Sequence, residues 1–292
     1  MSIATTPHLN TLRAAALLSA ISVFSCAPAP VPPPRPTAHA AEPSKPDAPS
    51  HPQQTNPAAP PAATLQPLQY TSSRHHNLTL HGVAFDSREY KLRVLDQKNG
   101  PGSEFTTAQQ AARAHNAIAA ANGGFFTPDG RPLGLVVADG ITSGNWNNSS
   151  SLGSAVWLED ASGRSLIARR SPHARSLAAS AHNLLQSGPL LIEHGHPVSG
   201  LDSVKSSTRT FLLWDGGHRW WMGQSSPVSL QALANSLARN PPTPWQPALA
   251  LNLDGGRSSD LWLASSSAGP QRNVRSPWNR TVRNYLVLLP SP

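Results

Sequence analysis

Prolines are spread unevenly along this chain, and their placement decides how much of it can fold. Of 30 prolines in 292 residues, 14 lie between Ala27 and Pro67. Repeated Pro-Ala, Pro-Pro and Pro-Ser steps favour extended polyproline II and cannot bury a core. Residues 27–67 are therefore expected to form a disordered Pro/Ala-rich tether. Residues 68–292 remain to fold, and a segment of that length buries a core without covalent staples.

The N-terminus reads as an address. Arg13 precedes a short apolar stretch, Ala14–Phe24, the arrangement of a signal peptide. No apolar run approaches the roughly 18 residues of a membrane-spanning helix. Val23-Phe24-Ser25-Cys26 is similar to a bacterial lipobox, in which the cysteine is lipidated and becomes the mature N-terminus. Phe24 stands where a small residue is usual, and the other reading is ordinary cleavage near Ala38-His39-Ala40. Residues 1–26 are thus expected to be a leader. The protein is expected to be exported to the bacterial envelope and held to the membrane only through a lipid on Cys26. Charged residues make up 13% of the chain, which is low for a cytosolic domain. Cys26 is the one cysteine, so an intramolecular disulfide framework and a cysteine-based zinc site are both excluded.

In the folded part, alternating or short apolar runs predict strands at Tyr90–Leu95, Ile118–Ala121, Leu133–Ala138, Ala155–Leu158, Leu190–Glu193, Phe211–Trp214, Arg219–Met222, Ala248–Leu253 and Val282–Leu289. Asp215-Gly216-Gly217-His218 reads as a hairpin turn. Helices are predicted from a Thr106 or Thr107 cap to about His115, over Ser176–Leu185, and after Ser229 with Leu230, Leu233 and Leu237 on one face. Strands outnumber helices. The expected fold is one α+β domain, a mixed, mainly antiparallel sheet packed by a few helices and preceded by the tether.

Two glycine clusters stand out. Ala121-Asn122-Gly123-Gly124-Phe125-Phe126 follows a buried strand, where glycines permit close backbone approach and Asn122 can both donate and accept. A tight turn with core phenylalanines explains that cluster as well. In the second, the apolar Ala250-Leu251-Asn252-Leu253 leads into Asp254-Gly255-Gly256-Arg257-Ser258-Ser259. A strand positions the carboxylate, the glycines expose N–H groups, and the serines add hydroxyls, which together suit an anion-binding nest. An Asp-Gly hairpin is the plainer alternative. Arg209, in Ser207-Thr208-Arg209-Thr210, is suited to a bidentate phosphate contact, or else is a surface arginine. Past residue 200 there are nine basic and four acidic residues, so an anionic ligand would be steered to this half. No nucleic-acid module signature accompanies the charge, and nucleic acid is not expected as a partner. His194 and His196 read as a loop, His75-His76 as solvated. Trp220, Trp221 and Trp262 are either sugar-stacking or core residues.

Taken in order, ANGGFF, PLGLVVADG, SGPLL, STRT, LNLDGGRSS and a closing R-x-V-x-N-x-L resemble the phosphodiester glycosidase family, which includes the mannose-6-phosphate uncovering enzyme. The resemblance spans about Tyr90 to Leu289. It implies hydrolysis of the bond between a sugar, N-acetylglucosamine-like, and a phosphodiester, in envelope or extracellular glycans. It implies Asp254 as the catalytic carboxylate, with Asp139 as a second carboxylate or simply an Asp-Gly turn. Asn122, Gly123, Asn252, Gly255, Gly256 and Ser258 would hydrogen-bond the substrate, and Arg209 with Thr210 would hold the phosphate. Arg257 replaces the third glycine of the family loop, which would narrow the pocket or add an anion contact. Arg280, Val282 and Asn284 fall on the closing pattern. No resident cofactor is implied, although Asp254, Asn252 and serine oxygens could hold a hard cation such as calcium. A non-catalytic envelope protein that binds sugar-phosphate polymers is the alternative.

Overall fold

The structure, a computed structural model, describes residues 68–266 and 268–291. The leader, the tether and Cys26 lie outside the described residues. In chain order the elements begin with β1 (Gln69–His75), β2 (Leu78–Asp86), β3 (Tyr90–Asp96), α1 (Ala108–Ala114), β4 (Ala119–Asn122), β5 (Val136–Ala138) and β6 (Ile141–Ser143). They continue with β7 (Ala155–Glu159), β8 (Ser165–Arg169), α2 (Pro172–Ala178), β9 (Asn183–Ser187), β10 (Leu190–Glu193), β11 (His196–Pro197) and β12 (Ser207–Trp214). The last are β13 (Arg219–Val228), α3 (Leu230–Arg239), β14 (Leu249–Asn252), β15 (Asp260–Leu263), β16 (Arg272–Arg275) and β17 (Asn284–Pro290).

The strands form three sheets. The first runs β1-β2-β13-β12-β14-β10-β11, the second β16-β15-β4-β17-β3, and the third β6-β5-β9-β7-β8. The α+β class stands as expected, with the strands divided among three sheets and antiparallel pairing throughout the described ladders.

Strand alternation builds the core. One face of each sheet contributes to a shared interior: Val83, Leu212 and Trp220 from the first, Leu261, Leu286 and Leu288 from the second, Val136, Trp157 and Leu185 from the third. The opposite face of each sheet is covered by its own helix. Leu233, Ala234 and Leu237 of α3 pack on Phe211, Leu213 and Trp221. Ala108, Ala111 and Ala112 of α1 pack on the second sheet, and Ala174 and Ala178 of α2 on the third. Adjacent Trp220 and Trp221 thus serve two different cores, both fully buried. That removes them, with Trp262 at 4% exposure, from the sugar-stacking reading.

Local chemistry explains most of the element ends. Thr107 caps α1 by accepting from Gln110 N, and Ser229 caps α3 by accepting from Ala232 N. In the β12–β13 hairpin, Asp215 Oδ1 accepts from Gly217 N (2.8 Å) and Arg219 N (3.1 Å). His76, at φ 53°, turns β1 into β2. The predicted helix over Ser176–Leu185 is corrected. Ser171 and Pro172 start α2 earlier, and residues 183–187 form the central strand β9. Leu184 and Leu185 face different cores there, which a strand permits and one helical face does not. The predicted strand over Leu133–Ala138 shortens to Val136–Ala138 because Leu135 N donates to the Gln186 side chain (3.0 Å) and not to a ladder partner.

Trp221 constrains its surroundings. Its indole lies over the paired glycines Gly82 and Gly223, and its Nε1 donates to Thr71 Oγ1 (2.7 Å). A methyl group at Gly82 would enter the space of the Trp221 ring. Gly82→Ala is expected to destabilise the domain by about 1–3 kcal/mol, read as a lowered denaturant midpoint. An unchanged midpoint would show that the indole is free to move.

Candidate active site

The site is assembled where β4 and β14 end side by side. Asn122, at the end of β4, is fully buried. Its Oδ1 accepts from Thr210 Oγ1 (2.7 Å) and Asp260 N (3.0 Å), and its Nδ2 donates to Asp254 O (2.7 Å). The loop after β14 is further tied by Leu253 N to Thr210 O (2.8 Å) and Asp254 N to Gly123 O (3.1 Å). Gly123 is required by close approach: an added Cβ would collide with Asn284 Oδ1, the atom that accepts from Gly124 N (2.8 Å).

This framework holds Asp254 with only 5% of its surface exposed. Oδ1 accepts from Gly255 N (2.9 Å) and Oδ2 from Arg280 Nη2 (3.2 Å). Burial pushes the Asp254 carboxyl above its ordinary value, against the pull of Ser258, Arg280 and the Gly255 N–H. Arg280 is held on three sides. Nε donates to Ser258 Oγ (2.9 Å), Nη2 pairs with Asp254, and the guanidinium lies 4.5 Å from the centre of the Phe126 ring. Nη1 has no partner among the described residues, and the side chain is 47% exposed.

Arg257 acts as a latch. Its carbonyl accepts from Arg280 N (2.8 Å) and its Nε donates to Trp278 O (3.0 Å). Asn279 Nδ2 donates to Ser259 O. The turn that delivers Arg280 is therefore strapped to the glycine loop. A second buried carboxylate, Asp260, pairs with Arg275 Nη1 (2.6 Å) and accepts from Ala108 N (2.9 Å) at the start of α1. Burial raises its pKa as well.

Several expected roles change. Arg209 and Thr210 lie on opposite faces of β12. Thr210 reaches Asn122, whereas Arg209 donates to the Val228 (3.1 Å) and Lys205 (2.7 Å) carbonyls. Arg209 thus braces the ends of two strands, and Arg280 is the cation beside Asp254. Asp139 does not join the cluster. It occupies the two-residue β5–β6 turn at φ 49°, next to Gly140 at φ 76°, and pairs with Arg93 (2.9 Å). The Asp-Gly turn explains it. Asn122 spends its hydrogen bonds inside the protein and positions the loop. Asn252 Nδ2 donates to Gly188 O (2.9 Å), tying β14 to the third sheet's exit, while its Oδ1 is unpartnered among the described residues. Gly256, at φ 62°, opens a short 3-10 turn ending at Ser258.

The oxygens left open for a cation are placed apart in role: the Asp254 carboxylate is already faced by Arg280 and the Gly255 N–H. Among the described residues no three His, Cys, Asp or Glu side chains gather as a metal-binding group. Sequence reasoning gave no role to Arg280, Asp260 or Arg275. The available signals were the closing family-like pattern that begins at Arg280 and the basic residues ahead of the last strand, and neither gives a side chain's direction.

Residues 115–289 match the family model described as phosphodiester glycosidase. No curated protein matches the chain. Among solved structures, the catalytic domain of a zebrafish N-acetylglucosamine-1-phosphodiester alpha-N-acetylglucosaminidase, auto-inhibited by its pro-peptide, aligns with a TM-score of 0.53 at 16% identity, over 76% of this chain and 81% of that one. A hypothetical protein from Synechocystis aligns with a TM-score of 0.54 at 17% identity, over 77% of this chain and 62% of that one. At these identities the likeness shows a shared fold.

The raised carboxyl makes a signed prediction. Folded protein keeps the Asp254 proton over a pH interval in which unfolded chain has lost it. This group's contribution to stability therefore falls as pH rises through that interval. Arg280 is half-exposed, so removing its partner does not strand a buried charge. Asp254→Asn is expected to stabilise the fold at pH 7 by about 1 kcal/mol, with the gain fading as pH falls into the carboxylate range. Thermal unfolding at both pH values checks this, and a loss of stability at pH 7 would contradict it.

Proposed function

The chain belongs to the phosphodiester glycosidase family, and from that premise we propose that it hydrolyses the bond between a sugar's anomeric carbon and a phosphodiester oxygen. The observation that carries this reading is the Asp254–Arg280 pair. A buried carboxylate with a raised pKa sits against an arginine whose Nη1 is unpartnered among the described residues and whose side chain is half open to solvent. Arginine at such a place suits a phosphate oxygen.

In this mechanism Arg280 takes the phosphate, and Asp254 faces the anomeric carbon. Water attacks that carbon, the bond from the anomeric carbon to the phosphodiester oxygen breaks with its electron pair leaving on that oxygen, and Asp254 accepts a proton of the attacking water. The leaving group is a phosphate monoester, stabilised by Arg280 as it departs. Such a leaving group needs no proton, so one carboxylate suffices where glycosides of alcohols use two. Asn122, Gly123 and Thr210 hold the loop in place. The Gly255 N–H keeps Asp254 oriented. The N-acetylglucosamine-like sugar and an envelope or extracellular glycan as substrate belong to the same proposal. The leader read at residues 1–26 and the activity for which the zebrafish protein is named support them.

Release of free sugar from the methyl phosphodiester of N-acetylglucosamine tests the proposal. Asp254→Asn is expected to lower kcat by about 10²–10⁴-fold with the fold intact. Arg280→Ala is expected to raise KM and also to lower kcat, and Arg280→Lys to restore little, since lysine cannot span Asp254 and Ser258 while presenting a free N–H. The product should appear with inverted anomeric configuration by NMR. Full activity of Asp254→Asn would sink the assignment, and retention would make Asp254 a nucleophile.

A further inference from the structure

The glycine loop has a second side. Asp254 and Ser258 face Arg280, but Gly256 and Ser259 line a separate cleft of about 280 Å³. Thr208, Ser225, Ser226, Ser276 and Asn279 complete a wall of hydroxyls and one amide. Gln224, 2% exposed, also lines it. Its Nε2 is held by Val274 O, and its Oε1 has no partner among the described residues. That acceptor has no open surface, so a ligand in the cleft would meet the surrounding hydroxyls.

We propose that this cleft binds a neutral pyranose, one unit of a glycan, against the turn that carries Trp278. Trp278 lies between the lining residues Ser276 and Asn279, and its side chain is left in solvent: the residue is 78% exposed. Among the described residues the other exposed large hydrophobic side chains are Ile141 and Val204. The backbone beneath the indole is held by Arg257 Nε on the Trp278 carbonyl (3.0 Å) and by Trp278 N on Ser276 Oγ (3.3 Å). An exposed indole on a turn anchored at its backbone suits the C–H face of a sugar, and hydroxyl-rich walls suit its polar edge.

Charge separates a neutral sugar from an anion. Two lining groups can be cationic. Arg275 is already paired at 2.6 Å with buried Asp260. His81 is kept neutral at neutral pH, its pKa lowered by burial and then by the nearby Arg272. Neither lining group thus offers a free cation to a phosphate, whereas Arg280 across the loop, although paired with Asp254, is half open to solvent. The inference does not require turnover at Asp254.

Saturation-transfer NMR on the full chain tests it, with methyl pyranosides of glucose, galactose, mannose and N-acetylglucosamine as probes. At least one is expected to bind saturably, with transfer to its ring C–H protons. Trp278→Ala and Ser276→Tyr, the second filling the cleft from an exposed position, should each weaken binding about tenfold, a change of 1.4 kcal/mol. Asp254→Asn should bind like the natural protein, and inorganic phosphate should not compete. Four results would overturn the proposal: no saturable binding of any probe, binding that survives both cleft substitutions, displacement by phosphate, or loss of binding in Asp254→Asn. Absence of hydrolysis at Asp254, by contrast, leaves these measurements unaffected and counts only against the catalytic reading.

Discussion

The side chain of Asn122, closed off from water, hydrogen-bonds to three segments remote from it in sequence: Thr210 on β12, the Asp254 carbonyl after β14, and the Asp260 amide at the start of β15. Those segments belong to two different sheets. A buried amide satisfied this fully is stable only when all its partners are in place, because each missing partner leaves a desolvated polar atom. The position of the Asp254 loop is therefore set by the packing of the sheets. Alanines on β4 and glycines after it let the neighbouring strands come close enough for this clamp. The helices stay outside, each covering the face of one sheet.

The loop that Asn122 holds presents two buried carboxylates in different circumstances. Asp260 Oδ2 takes both the Ala108 N–H at the start of α1 and an arginine whose side chain is 20% exposed, while its buried Oδ1 has no partner among the described residues. Asp254 is matched to an arginine 47% exposed. Both carboxyls are raised by burial, but only the Asp254–Arg280 pair has an open side at which a ligand can compete. The same sequence element thus supplies a closed ion pair and an open one, and the difference lies in solvent access to the cation. Arg257 contributes by strapping down the turn from which Arg280 and Trp278 project.

Much of this was legible in the chain. Asp254 stood out because an apolar strand ends in a carboxylate followed by glycines and serines. The hairpin at Asp215–His218 and the Ser229 helix were written in local chemistry. What stayed hidden depended on direction or on distance. Arg209 and Thr210 are adjacent, so one must face away from Asn122, and spacing does not say which. Arg280 meets Asp254 across 26 positions, through a turn without periodicity. The segment after Ser176 reads as a helix because Leu184 and Leu185 are apolar in a row, whereas two cores on opposite sides of β9 need them both. Division into three sheets was equally hidden, since alternation reveals a strand's faces but not its neighbours.

The central claim is that bond cleavage occurs at carbon, with Arg280 holding the phosphate and Asp254 facing the sugar. Hydrolysis of an N-acetylglucosamine phosphodiester in ¹⁸O-enriched water tests it most directly. The account predicts ¹⁸O on the anomeric carbon of the released sugar and none in the phosphate monoester. Label in the phosphate would mean attack at phosphorus, and the assignment of Asp254 and Arg280 made here would be contradicted.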